Sequence, residues 1–225
     1  MIFESRLSKG ESFFVLGNNR FSLGATKLPI VSLRYSLGLK DFMGGDFQYH
    51  KFAISFEQDL RLGVFGRTYY LLNAQYIPTA LPYPILKAYL ANEGFFYNFY
   101  GFNLMNYLEF INDRHISLNY EHTFNGVWLS RLPLLKKLKL RPFVASNVLY
   151  GSLRPANQAL IPATDTEGNA LLQPQGLGQE PYIEVGYGIS NILRLGRITL
   201  LHRLTYRDAP GVRNFGVFFS TRFEL

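Results

Sequence analysis

Glu57 and Asp59 stand two residues apart, so an extended backbone would hold both carboxylates on one face. Paired carboxylates can divide general-acid and general-base work between them. Lys51 and Arg61 share the same parity, however, and a ladder of salt bridges along one strand face accounts for all four. The histidines, His50, His115, His122 and His202, show no H-E-x-x-H or comparable ligand spacing. His122 and His202 fall on the apolar side of their segments. No G-x-S-x-G nucleophile elbow is present, and Gly44-Gly45 reads as a turn rather than a phosphate cradle. The chain has 0 cysteines, which removes disulfides, thiolate metal sites and a thiol nucleophile. The expectation is therefore a non-enzymatic protein without metal or cofactor.

What remains distinctive is how the ordinary residues are arranged. Phe and Tyr number 20 and 15 in 225 residues, yet mean hydropathy is +0.00. No run approaches the roughly 20 apolar residues of a spanning helix. Aromatic richness with short alternating segments fits a transmembrane β-barrel. The competing classes are an outer-membrane barrel enzyme, such as a lipid hydrolase or acyltransferase, and a soluble ligand-binding β-barrel. Net charge is +7. The dense basic cluster is Lys136, Lys137, Lys139 and Arg141, suited to lipid phosphates or a periplasmic partner. No nucleic-acid-binding motif accompanies it.

Alternation defines the elements. Val31, Leu33, Tyr35, Leu37 and Leu39 oppose Ser32, Arg34, Ser36 and Lys40. Phe52, Ile54, Phe56 and Leu60 oppose Lys51, Ser55, Glu57 and Asp59, and Tyr70, Leu72, Ala74 and Tyr76 oppose Arg67, Asn73 and Gln75. Further strands are expected around 116–124, 138–150, 183–190, 197–207 and 213–225, about eight in all. Residues 1–28 read as a weak strand or hairpin entry around Gly17-Asn18-Asn19. The segment 78–113 breaks the rhythm with Pro78, Pro82 and Pro84, and 153–180 is polar and loop-like. If Leu225 is periplasmic, parity makes 78–113 and 153–180 external loops, provided 104–110 is not a full spanning strand. It would instead fold back into the lumen.

Several stretches carry a family resemblance. They are Gly45-Asp46-Phe47-Gln48-Tyr49-His50-Lys51, Pro82-Tyr83-Pro84-Ile85-Leu86, Phe102-Asn103-Leu104-Met105-Asn106-Tyr107-Leu108-Glu109-Phe110, Arg131-Leu132-Pro133-Leu134-Leu135-Lys136-Lys137-Leu138 and Leu204-Thr205-Tyr206-Arg207-Asp208. Together they resemble the C-terminal barrel of an uncharacterised family of Bacteroidota outer-membrane proteins. Its members look like a signal peptide, a carboxypeptidase-regulatory-like β-sandwich and a large barrel. More distantly, the arrangement is similar to surface-antigen barrels of the BamA/TamA type. The Val-Arg-Gly-Phe/Tyr lid motif of those barrels is absent, its place reading Phe99-Tyr100-Gly101-Phe102.

The resulting expectation is an all-β fold, an antiparallel transmembrane β-barrel. About eight of its strands lie in residues 29–225, as the C-terminal half of a larger barrel. With no signal peptide at 1–17, the chain reads as a piece of a longer exported protein. Arg34, Lys51, Glu57, Asp59, Arg61, Glu121, Glu184, Arg203 and Arg222 would line the lumen. Phe102, Asn103, Met105, Asn106, Glu109 and Phe110 would form the loop that plugs it. Phe219, Phe223 and Leu225 would signal insertion to the barrel-assembly machinery. The expected partner is the lipid bilayer, in the bacterial outer membrane, and no nucleic acid.

Overall fold

The computed structural model describes residues 1–25, 28–42, 44–126, 138–163, 174–209 and 211–221. The chain forms β1 (Ile2–Leu7), β2 (Glu11–Leu16), β3 (Asn19–Ala25), β4 (Ile30–Gly38), β5 (Tyr49–Arg61), β6 (Arg67–Tyr76) and β7 (Lys87–Ala88). It continues through β8 (Ile111–Asn112), β9 (Arg114–Thr123), β10 (Arg141–Ser152), β11 (Tyr182–Ile192), β12 (Gly196–Arg203) and β13 (Phe215–Thr221). Among the described residues, helix is confined to short turns such as Pro155–Gln158. The fold is all-β and antiparallel, as the alternation predicts.

Nine strands make one sheet in the order β1-β4-β5-β6-β9-β10-β11-β12-β13. The eight strands read from the sequence are all present. The ninth, β1, lies within the segment expected to be only a weak strand or hairpin entry. It pairs with β4 from Ile2 opposite Ser36 to Leu7 opposite Val31. The hairpin itself is β2–β3, turning at Gly17-Asn18, and forms a separate two-stranded sheet. Both Arg6 guanidinium nitrogens donate to the Glu11 carboxylate, at 2.6 and 2.8 Å, tying this hairpin back to β1. That partner holds the Glu11 carboxyl down at about 2.

Tight turns keep neighbouring strands in register. Between β5 and β6 the chain reverses through Gly63 and Gly66, with φ of 59° and 115°. A Cβ at Gly66 would strike the Thr123 carbonyl, so the strained backbone and the close approach both require glycine there.

The sheet is strongly curled. Arg197 on β12 donates to Glu121 on β9 at 2.6 Å, although β10 and β11 lie between them. In a flat sheet those strands would be roughly 14 Å apart, so the side chains meet by leaning across a concave face. Residues from the two end strands, Arg6 of β1 with Ser220 and Thr221 of β13, border one cavity. The two ends do not pair with each other, so the expected closure is not present: the sheet is open.

The two faces invert the usual polarity. On the concave face Asp59, Asn119, Glu121, Asn147, Glu184, Arg197 and Arg203 are all buried. On the convex face Phe52, Ile116, Val144, Tyr150, Tyr187, Ile198 and Val217 are exposed. Each strand supplies both sets because successive side chains point to opposite sides.

Candidate functional site

Residues 78–113 cross the concave face and make its centre. The loop has no interior strand beyond the two-residue pair β7–β8. At its base, Arg154 ties down both its ends. Its Nε donates to Asp113 at 2.8 Å, and its terminal nitrogens donate to the carbonyls of Ile77, Pro78 and Thr79. Asn157 adds a bond to Asp113 at 2.6 Å and accepts from the Leu81 N–H at 2.8 Å. Sequence reading treats 153–180 as a polar surface loop, yet Asn157 and Leu177 within it are buried.

The middle of the loop is held by two charged strand residues. Glu184 on β11 accepts the backbone N–H groups of Asn103 and Leu104 at 3.0 and 2.7 Å. It also accepts from Tyr182 Oη at 2.7 Å and from Asn147 Nδ2 at 3.2 Å. A buried carboxylate is tolerable when several donors surround it in this way. Arg203 on β12 is 1% exposed and grips both oxygens of Glu109 at 2.6 and 3.1 Å. Its remaining donors reach the carbonyls of Thr205 and Tyr206, and its guanidinium lies over the Tyr182 ring. Bidentate geometry of this kind fixes orientation as well as charge.

The six loop residues singled out from the sequence divide by role. Phe102, Met105 and Phe110 pack with Leu149, Leu177 and Tyr182 in a buried apolar cluster. Asn103 is fully buried and bonds within the loop to Asn92 and Asn98. Asn106 donates its backbone N–H to Glu109 and its side-chain amide to the Gly211 carbonyl. The stretch 104–110 contains no strand, consistent with the parity argument.

Of the residues expected to line a lumen, Arg34, Lys51, Glu57, Asp59, Glu121, Glu184 and Arg203 lie on this side of the sheet. Their partners differ from the expected ladder along β5. Asp59 is held by Arg67 on β6, whose Nε donates to both its oxygens at 2.6 and 2.8 Å. Glu57 accepts from Tyr69. Arg61 is exposed at the strand end, and Lys51 donates to the Ile85 carbonyl at 3.1 Å. The partners of both carboxylates lie diagonally across on β6, where Asp59 faces Tyr69 and Arg61 faces Arg67, within reach of long side chains. Arg34 pairs with Glu4 of β1 at 2.8 Å. Arg222, Phe223 and Leu225 lie outside the described residues, as do Lys136 and Lys137. Lys139 is exposed and Arg141 half-buried.

Phe219 is exposed on the convex face, and its backbone has a second neighbour besides β12. Its N–H donates to the Phe95 carbonyl and its carbonyl accepts the Tyr97 N–H, both at 2.8 Å. The loop thus lays a short parallel bridge along the outer edge of β13.

Sequence reasoning missed the contribution of Arg197, Tyr182 and Lys87. Alternation already put Arg197 on the inward side. Nothing local announces that it stacks over Phe143, with its guanidinium carbon 3.5 Å from the ring centre, while gripping Glu121. The histidines are dispersed. His122 bonds Thr68 at 2.7 Å on the convex side of the sheet, His50 bonds Tyr35 at 2.7 Å, and His202 sits between Tyr187 and Phe215. Among the described residues no group of three or more His, Cys, Asp or Glu gathers in metal-binding proximity.

A model of the C-terminal domain of a family of unknown function, DUF5686, matches residues 4–156, well over half of the chain, and the chain belongs to that family. No curated protein and no solved structure matches it.

Proposed function

We propose that this DUF5686 family member forms part of a bacterial outer-membrane β-barrel. Its role is non-enzymatic and structural, transport- or assembly-related, and residues 78–113 fill its interior. The carrying observation is the inverted polarity of the sheet: ion pairs and amides are buried on one side, while aromatic and branched apolar residues are exposed on the other. In water such a surface is costly, since monomers rarely expose apolar patches beyond a few hundred Å². In a bilayer it is the favourable outer face.

Strand length supports the same reading. A tilted barrel strand needs about 9–11 residues to cross the hydrocarbon. β4, β5, β6, β9, β10 and β11 have 9, 13, 10, 10, 12 and 11. Exposed edges cannot persist in lipid, where backbone groups must find partners. In the membrane β1 and the part of β13 not bridged by residues 95–97 would therefore be paired, to each other or through further strands. The last strand, with Phe219, Phe223 and Leu225, would serve as the signal read by the assembly machinery. No helix among the described residues is long and apolar enough to cross a membrane, so strands would do the crossing.

Heat-modifiable migration tests the proposal. Folded protein in detergent or lipid vesicles should run faster on a gel when unheated than when boiled. Vesicles should also protect the strands from added protease. Migration that is identical with and without boiling, from protein that remains soluble without detergent, overturns the reading.

A further inference from the structure

Between the loop and the β4–β6 side of the concave face lies a cavity of about 330 Å³, bordered by Arg34, Gln75, Lys87, His115 and Asn119. Its charge is unbalanced. Glu4 is the single carboxylate at its wall and is already taken by Arg34 at 2.8 Å. Lys87 has no hydrogen-bond or ion-pair partner among the described residues. Lys51 stands close enough to repel it and rests on a neutral carbonyl, that of Ile85. At the wall, Gln75 Nε2 and His115 Nδ1 are buried without partners, and His115 is 8% exposed.

Elsewhere on this face charges are matched: Asp59 with Arg67, Glu121 with Arg197, and Glu109 with Arg203. Here two cations, Arg34 and Lys87, border the cavity with one carboxylate. Like charges close together in a low-dielectric setting repel strongly unless an opposite charge joins them. Burial and the nearby Arg34 push the Lys87 ammonium below the ordinary lysine range, the strain expected of a cation waiting for a counter-ion.

We propose that this cavity binds a small, multiply charged oxyanion, with Lys87 and Arg34 supplying the charge and Gln75 and His115 the neutral donors. The volume is at the lower end for ligand sites, about 300–1,000 Å³, and fits a compact anion rather than a lipid or peptide. The site stands apart from the membrane reading, since the cavity is formed by the loop and five strands of the sheet whatever surrounds it.

The test uses the purified folded chain in non-ionic detergent, titrated calorimetrically with pyrophosphate and separately with citrate. Saturable binding that weakens at least tenfold in Lys87→Gln, and weakens as salt is raised, is expected. The two ligands distinguish a phosphate preference from a carboxylate preference. Lys87 holds no partner, so Lys87→Gln should keep the fold, as circular dichroism would verify. If that variant misfolds, amine-reactive labelling of the unaltered protein decides. Pyrophosphate or citrate should slow modification of Lys87 at least threefold while leaving Lys139 unchanged. Absence of binding by both anions overturns the proposal. So does affinity unchanged in a folded Lys87→Gln, or labelling of Lys87 unaffected by either anion.

Discussion

Glu184 shows what a single side chain does in this molecule. Its two oxygens accept two backbone N–H groups from the loop, one tyrosine hydroxyl and one asparagine amide. Truncation leaves these donors buried without acceptors, each unmatched group costing about 1–3 kcal/mol. Glu184→Ala should therefore lower the unfolding free energy by about 3 kcal/mol or more. Denaturant titration in detergent measures it, and a loss below about 1 kcal/mol would show that the loop does not depend on this anchor. At this scale the sequence is half legible. The two-residue period of a strand assigns Glu57, Asp59, Glu121, Glu184 and Arg203 to one side, and they are there. Their partners are not legible: Asn103 lies 81 residues from Glu184 and Glu109 lies 94 from Arg203, separations no local pattern encodes.

The loop and the strands become interdependent one level up. Residues 95–97 pair with the outer edge of β13, giving two of its backbone groups partners they would otherwise lack. Tyr97→Pro removes the donor to the Phe219 carbonyl. Amide exchange at Phe219 should then rise at least tenfold, and protease should cut near 93–99. Tyr97→Phe keeps the N–H and serves as the control, and unchanged exchange in the proline variant refutes the bridge. Prolines and broken periodicity reveal that 78–113 is not a strand, and parity makes it fold inward, but its anchors are not legible because they follow it in the chain. β1 is missed for a related reason. Phe3, Ser5 and Leu7 alternate with Glu4 and Arg6 over only six residues, and the ion pairs that fix it run to Arg34 and Glu11. Gly188 shows a further constraint invisible in sequence: a Cβ there would occupy the space of the Phe143 ring on which Arg197 stacks.

For the whole molecule the question is what surrounds the convex face. A cysteine-free chain accepts single cysteines for spin labels without background. In lipid vesicles, labels at Ile116, Ile198 and Val217 should be broadened by dissolved oxygen and shielded from a water-soluble nickel chelate. Labels at Ser117 and Thr199, one residue away on the buried side, should respond weakly to both. Equal nickel accessibility at the first three positions would rule out a lipid-facing surface. The fold class, the strand order from β4 onward and the direction of each face all follow from alternation and turn signals. Whether the edges meet does not, because curl is a sum of small twists between strands and of side chains such as Arg197 and Glu121 reaching over them.

The anchoring of residues 78–113 by Glu184 and Arg203 has a consequence for the order of events during folding. The loop is made before the strands that hold it, and its fastening waits until β11 and β12 have joined the sheet. Contacts this distant along the chain pay their loop-closure entropy before they return any stabilisation. The interior should therefore be the last part to set. Until then a slowly maturing intermediate would carry a solvated, loosely held loop beside strands already paired.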